Sequence, residues 1–90
     1  MKMQEKIEKK LTKSFNIHHL EVVDESYKHK GHAGAREGGE SHFHVIIISS
    51  DFSGLSRVKR HKMVFELLKE EMKGSIHALS LTTLAPEEAA

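Results

Sequence analysis

The stretch "HFHVIIIS", residues 42–49, decides the fold of this chain. Four β-branched residues follow one another from Val45 to Ile48. An unbroken run of this kind is typical of a central strand that is covered on both faces, or nearly so. We therefore expect residues 42–49 to form the middle of a sheet whose other strands come from either side along the chain.

The segment before this strand predicts a helix and a second strand. Apolar side chains recur at every fourth position near the start of the chain: Met3, Ile7, Leu11 and Phe15. This spacing makes one stripe of an amphipathic helix over residues 2–15. Residues 19–26 have the pattern of a strand, with Leu20 and Val22 on one face and Val23 on the other.

The segment after the strand predicts a turn, a long helix and a third strand. A helix over 56–73 is indicated by residues at helical spacing, which would form its apolar side: Val58, His61, Val64, Phe65, Leu68 and Met72. Lys73 and Gly74 suit its end, with a cation in the last turn and glycine just beyond. Residues 76–83 predict the third strand, and we expect residues 84–90 to be a frayed tail.

The order helix, strand, strand, helix, strand predicts the topology. A helical connection makes the second and third strands parallel through a right-handed crossover, and the first two strands should be antiparallel. The expected fold is an α+β domain, a three-stranded mixed sheet with helices, spanning residues 1–90 as one unit.

Composition limits the classes of function. A 90-residue chain has no room for a deep enclosed active site. The absence of cysteine excludes disulfides, thiol catalysis and an all-thiolate metal site. No nucleophilic or acid–base constellation stands out, so we expect a protein that is not an enzyme. With no apolar run long enough to span a bilayer and no signal-peptide pattern, we expect a cytosolic protein or the mature form of an organellar one.

A basic run, "RVKRHK" at residues 57–62, stands at the start of the long helix. It places four cations where the helix dipole favours carboxylates, so an anion or an acidic partner is one explanation and a solvated face is the other. The candidate binding residues are Arg57, Lys59, Arg60, His61 and Lys62. Of these, His61 falls on the apolar side of the helix, where a packed structural histidine is the favoured interpretation.

Histidine is concentrated in "YKHKGHAGAREGGESHFHV", residues 27–45, which holds four of the eight histidines. His29 and His32 fall in its glycine-rich part, at a spacing that permits metal binding, but no second ligand pair supports a structural zinc site. His42 and His44 share one strand face, where half-exposed strand-end residues are the favoured interpretation. The glycines do not form a phosphate loop, because a strand and not a helix follows them.

His77 is a further candidate because it stands among apolar residues in "SIHALSL". A buried neutral imidazole needs partners for its nitrogens. A metal ion would be one such partner, and a satisfied core or edge position is the alternative.

Four stretches together resemble the BolA family: "LEVVDESYKH" (20–29), "ESHFHV" (40–45), "FSGLSRVKRHKMV" (52–64) and "HALSLTTL" (77–84). The ordered set of "ESHF", "RH" and "HAL" carries most of the specificity. The resemblance implies a fold similar to the class II KH type. It also implies partnership with a monothiol glutaredoxin, in which a [2Fe-2S] cluster is shared with the glutaredoxin and its glutathione.

The resemblance also implies ligands for that cluster. The family histidine of "HAL" falls on His77, and the second ligand falls in the loop that holds His29 and His32, with His32 favoured. The alternative is a transcription regulator that binds DNA through the basic run, although the net charge of +1 gives no strong polyanion-seeking field. By itself the protein is expected to be a monomer or a weak dimer without a cofactor.

Overall fold

The expected order of helix, strand, strand, helix and strand is present, and a short helix follows the last strand. The computed structural model describes residues 3–25, 42–74, 76 and 78–89. Its helices and strands are α1 (Met3–Ser14), β1 (Ile17–Asp24), β2 (His42–Ser49), α2 (Arg57–Leu67), α3 (Lys69–Lys73), β3 (Ala78–Leu84) and α4 (Pro86–Ala89), with a 3-10 turn at Ser50–Phe52.

The sheet has the order β1-β2-β3, so β2 is central as predicted. β1 pairs with β2 antiparallel, and β2 pairs with β3 parallel. This arrangement confirms the small α+β fold with a mixed three-stranded sheet. β1 begins two residues earlier than the sequence suggested, because Ile17 already pairs with Ser49 across an irregularity in the ladder.

Only one face of the described sheet is fully covered. Along β2 the residues alternate strictly, and the buried set is Phe43, Val45, Ile47 and Ser49. The intervening residues are half-buried, so the second face is covered only in part, within the expectation of a strand that is covered on both faces or nearly so. The physical reason is that Ile7 of α1 and Val64 of α2 belong to the same core cluster as Val45, which places both helices on one face.

The predicted α1 stripe is confirmed, since Met3, Ile7 and Leu11 are buried in the core. The turn after β2 adds Phe52, which is fully buried and lies 5.3 Å from Phe15 between ring centroids. An aromatic pair at this distance is favourable beyond its buried area. The turn is therefore a part of the core as well as a connection.

The long helix differs from its prediction in two respects. It ends at Leu67 and restarts at Lys69, because Leu68 has φ −99° and ψ 14°, outside helical values. Its inner side is also rotated: Val58 is 68% exposed, whereas Arg60 is buried. The buried positions follow Arg60, Val64 and Leu68 at four-residue steps, which moves Val58 to the solvent side.

The expected frayed tail is wrong for residues 84–89. Leu84 is the last residue of β3, Ala85 is fully buried and Pro86–Ala89 form the short helix α4. The carboxylate of Glu88 accepts hydrogen bonds from the Arg60 side chain and from the backbone N–H of Ala85. These contacts hold the segment against α2.

Candidate functional site

The residues that adjoin the proposed ligand segments lie together at one end of the sheet. The backbone N–H of Glu25 donates a 2.7 Å hydrogen bond to the carbonyl of His42, and His42 lies opposite Ala78 in the parallel ladder. We call this the His42 end of the sheet, defined by Glu25, His42 and Ala78. The end of β1 and the starts of β2 and β3 meet there.

The candidate ligands themselves lie outside the described residues. His29 and His32 belong to residues 26–41, whose flanks are Glu25 and His42, and His77 lies between the described residues Ile76 and Ala78. The segments that carry these candidates therefore join the described structure at Glu25, His42 and Ala78, which define the His42 end of the sheet.

His44 is held by its neighbours. Its Nδ1 lies 2.6 Å from Ser80 Oγ and its Nε2 lies 3.1 Å from Thr82 Oγ1. Both ring nitrogens are engaged by hydroxyl groups of β3, which leaves no free lone pair for a metal. His42 and His44 are both half-buried, on the face of β2 opposite to Phe43 and Val45. This agrees with their interpretation as half-exposed strand residues.

The chemistry of the available donors limits the kind of metal group that the chain can hold. Within residues 3–25, 42–74, 76 and 78–89, no three side chains of the usual ligand types come together. The sequence has no cysteine, so it can offer a cluster imidazoles but no thiolates. Such a donor set fits a cluster shared with a thiolate-bearing partner and does not fit a cluster held by this chain by itself.

Three of the predicted basic residues form an exposed surface at the start of α2. Arg57, Lys59 and Lys62 are exposed, and we call them the basic face. The Ser56 hydroxyl accepts a 3.2 Å hydrogen bond from the Lys59 N–H, which caps the helix in place of a carboxylate. Val58 lies among these cations and is exposed, so the surface combines charge with an apolar group.

Arg60 does not belong to this surface. Its Nε donates to the Leu55 carbonyl at 2.9 Å, and its Nη1 donates to the Thr83 carbonyl at 3.0 Å and to Glu88 Oε1 at 2.7 Å. The residue is 7% exposed and these contacts give it a structural role, so it is not one of the exposed cations at the start of α2. The step of four residues from Arg60 to Val64 and Leu68 was the signal that could have placed it inside.

His61 is half-buried, as the packed interpretation requires. Its Nε2 is shielded from solvent and has no hydrogen-bond partner in the part of the chain that the structure describes. Nε2 is therefore not accessible to a ligand in this arrangement. We leave His61 out of the basic face, which has three cations.

The sequence analysis did not identify Glu88 as a site residue, because residues 84–90 were expected to be a frayed tail. The pKa of its carboxyl group is lowered, first by the hydrogen bond from the Ala85 backbone and then by the hydrogen bond from Arg60. The signal that could have found it is "PEE", a proline followed by acidic residues, which is a typical helix start.

None of the helices in the described ranges is long and apolar enough to cross a membrane.

Comparison with known proteins adds the family. A family model described as BolA-like protein matches residues 11–88. The chain is 47% identical over 89 residues to an uncharacterized protein in the cobS 5' region of Sinorhizobium sp., covering 98% of this chain and 96% of that protein. It is 42% identical over 88 residues to the DNA-binding transcriptional regulator BolA of Haemophilus influenzae, covering 98% and 82%.

A solved structure agrees with this relationship. The structure of BolA1 from Arabidopsis thaliana superimposes with a TM-score of 0.89 at 39% sequence identity, covering 100% of this chain and 98% of that chain. The match extends over every element described above. The chain belongs to the BolA-like protein family.

Proposed function

We propose that this protein is a cytoplasmic partner of a monothiol glutaredoxin and supplies imidazole ligands to a [2Fe-2S] cluster bridged between the two proteins. The supporting observation is the meeting of Glu25, His42 and Ala78 at one end of the sheet. Both ligand-bearing segments start from that end, so one partner surface can reach them together.

The donor chemistry supports a shared cluster. The glutaredoxin and its glutathione would supply thiolates, and this chain would supply His77 and one loop histidine, for which we favour His32 over His29. Replacement of thiolates by imidazoles raises the reduction potential of a [2Fe-2S] centre. Because a protonated imidazole cannot bind metal, the assembly should also be sensitive to acid.

The basic face gives this partnership a second contact. Arg57, Lys59 and Lys62 are exposed on the first two turns of α2, with Val58 among them. Cations around an apolar side chain fit a partner surface of negative potential with an apolar centre, since complementary charges speed and orient association. In this proposal the protein binds and presents ligands, and it catalyses no reaction.

The deciding experiment is co-purification of this chain with the monothiol glutaredoxin of its own host. Cluster reconstitution of the mixture should give visible absorption and circular dichroism that differ from those of the glutaredoxin in the same treatment. This chain, reconstituted without the glutaredoxin, is the matched control and should remain colourless. A mixture whose spectra equal the sum of the two separate proteins would reject the proposal.

The loop ligand is assigned by replacing His29 and His32 separately with alanine. Loss of the true ligand should change the visible circular dichroism of the heterocomplex and its response to acid, whereas the other replacement should behave as the unmodified protein. If neither replacement has an effect, the loop is a connector and the second ligand lies elsewhere.

DNA binding is a second candidate function that two observations favour. A relative at 42% identity is named as a DNA-binding transcriptional regulator. The chain also has a second basic surface, a groove that is lined by Glu71 of α3 and by four lysines of α1: Lys6, Lys9, Lys10 and Lys13. Lysines along a helix contact phosphates without reading the sequence of bases.

A salt titration separates this function from the first. If DNA is the partner, the affinity should fall steeply with salt, and Lys62→Glu should lower both the affinity and the salt slope. Sequence-specific DNA binding at physiological salt, together with no affinity for the glutaredoxin, would reverse the order of the two proposals.

A further inference from the structure

A cavity of about 330 Å³ lies where the start of α2, the end of β3 and α4 meet. Its lining residues are Leu55, Arg57, Arg60, Thr83, Leu84 and Glu88. In the parallel ladder Leu84 pairs with Ile48, whereas Ala78 pairs with His42. The cavity is therefore at the opposite end of the sheet from the His42 end, and Arg57 is the one residue that it shares with the basic face.

The cations of this cavity are arranged for a carboxylate. The carbonyls of Leu55 and Thr83 fix the Arg60 guanidinium in place before any ligand arrives. Arg57 lies three residues earlier on the same helix, at a spacing that places it beside Arg60, and it is exposed. A guanidinium held in this way presents a fixed Nη1 donor to one carboxylate oxygen, and a hydrogen bond between two charged groups is stronger than one between neutral groups.

The chain's own carboxylate already occupies the position. Glu88 Oε1 lies 2.7 Å from Arg60 Nη1 and 2.7 Å from the backbone nitrogen of Ala85. Its neighbour Glu87 accepts a 3.1 Å hydrogen bond from the Ser53 hydroxyl. Two successive glutamates thus dock through polar contacts, which defines the chemistry that the surface recognises.

The element that carries these glutamates is short and is held by polar contacts. α4 has four residues and none of them is buried. Thr83, beneath it, is 6% exposed, and its hydroxyl has no hydrogen-bond partner within the described ranges. A buried hydroxyl without a partner is unfavourable, so the closed arrangement contains a penalty that opening to water or to a ligand would relieve.

We propose that this cavity is a docking site for an acidic segment of a partner protein, and that Glu88 occupies it in cis until such a segment displaces it. The partner segment carries adjacent carboxylates, as "PEE" does in this chain. Because Glu88 is tethered close to Arg60, its effective concentration is high and the free protein is held closed. Removal of the Glu88 charge should open the site.

The test uses the full chain and a synthetic peptide of residues 84–90, "LAPEEAA", acetylated and amidated at its ends. A twin peptide with glutamine in place of both glutamates is the control. Glu88→Gln should bind the acidic peptide at least about tenfold more tightly than the unmodified protein, because the tethered competitor is gone. The twin should not bind, and Glu87→Gln, which keeps the contact between Arg60 and Glu88, should bind the acidic peptide less tightly than Glu88→Gln does.

Amide NMR titration gives the location as well as the affinity, through the resonances of Thr83 and of the Arg60 Nε–H group. Adding Arg57→Gln to Glu88→Gln should weaken binding of the acidic peptide. Equal affinity of Glu88→Gln and the unmodified protein, or equal binding of the two peptides, would overturn the proposal.

The unmodified protein provides an independent measurement should Glu88→Gln fail to fold. Excess acidic peptide must then displace Glu88 and shift the Ala85 amide resonance, whose N–H donates to the Glu88 carboxylate. An Ala85 resonance that responds equally to both peptides would also overturn the proposal.

Discussion

Ile46 and Ile47 are neighbours in β2 and lie on opposite faces of the sheet, so Ile47 is fully buried while Ile46 is only half-buried. The pair shows that the apolar run of β2 does not have two equivalent sides. One side packs against the helices. On the other side, His44 lies within hydrogen-bond distance of the hydroxyl groups of Ser80 and Thr82 in β3.

We expect Ile47→Ala to lower the free energy of unfolding by about 2–5 kcal/mol, since it removes buried methyl groups and leaves a cavity. Ile46→Ala, the matched change one residue away, should cost about 1 kcal/mol because the side chain is partly in water already. Urea denaturation followed by circular dichroism measures both. Equal losses would mean that the second face of the sheet is also covered.

Arg60→Ala should lower the free energy of unfolding by about 3 kcal/mol, because it leaves the carbonyls of Leu55 and Thr83 without their donor in a buried position. Lys62→Ala removes the same charge from the exposed basic face and should change the stability by less than about 0.5 kcal/mol. Two variants of equal stability would contradict the structural assignment of Arg60.

The contact of Glu88 predicts a dependence of stability on acid. Its pKa is lowered from the ordinary value of 4.5 by the Ala85 N–H and then by Arg60, so folding favours the ionised form. The stabilisation is therefore present above pH 4.5 and is lost as the pH falls through the lowered folded pKa. Glu88→Gln should melt at a lower temperature than the unmodified protein at neutral pH.

That difference in melting temperature should shrink well below pH 4.5, where both side chains are neutral. Glu87→Gln, which keeps the Arg60 contact, is the control. A difference that persists unchanged into acid would assign the effect to packing and not to charge.

Lys62→Glu should weaken binding to the glutaredoxin, more at low salt than at high salt, since the exposed charge acts through a screened field. Lys13→Glu makes the same charge change on α1 and leaves the basic face intact, so it should have a smaller effect. Binding is measured by calorimetry over a series of salt concentrations. Equal effects of the two substitutions would mean that net charge, and not the basic face, directs association.

His77→Ala should leave the fold intact and alter the absorption and the lability of the bridged cluster. Far-ultraviolet circular dichroism of the variant checks the first expectation, and reconstitution with the glutaredoxin checks the second. An unchanged cluster spectrum would count against His77 as a ligand. Loss of folding would instead indicate a structural histidine.

The candidate site was only partly predictable. The sequence separated the histidines of β2 from those of residues 26–41, and the hydrogen bonds of His44 agree with its interpretation as a strand residue. It grouped Arg60 with its exposed neighbours, because the run of charges was given more weight than the four-residue spacing from Arg60 to Val64 and Leu68. The ligand assignments of His29, His32 and His77 remain predictions, since they lie outside the described residues.

The sequence by itself determined the elements and their topology. The four-residue stripe of α1 and the β-branched run of β2 are local patterns, and the helical connection between β2 and β3 makes these strands parallel. These features depend on backbone geometry and on near neighbours in the chain, so they can be inferred without knowledge of distant contacts.

Only the tertiary structure decided which charged residues are internal. Arg60 is buried because Leu55, Thr83 and Glu88 come together around it, and Glu88 is 28 positions away in the chain. A C-terminal segment of charged and small residues is ordinarily solvated. Here the buried guanidinium of Arg60 forms a hydrogen bond with Glu88 of that segment. Long-range hydrogen bonding, which no local pattern encodes, made a structural element from an apparent tail.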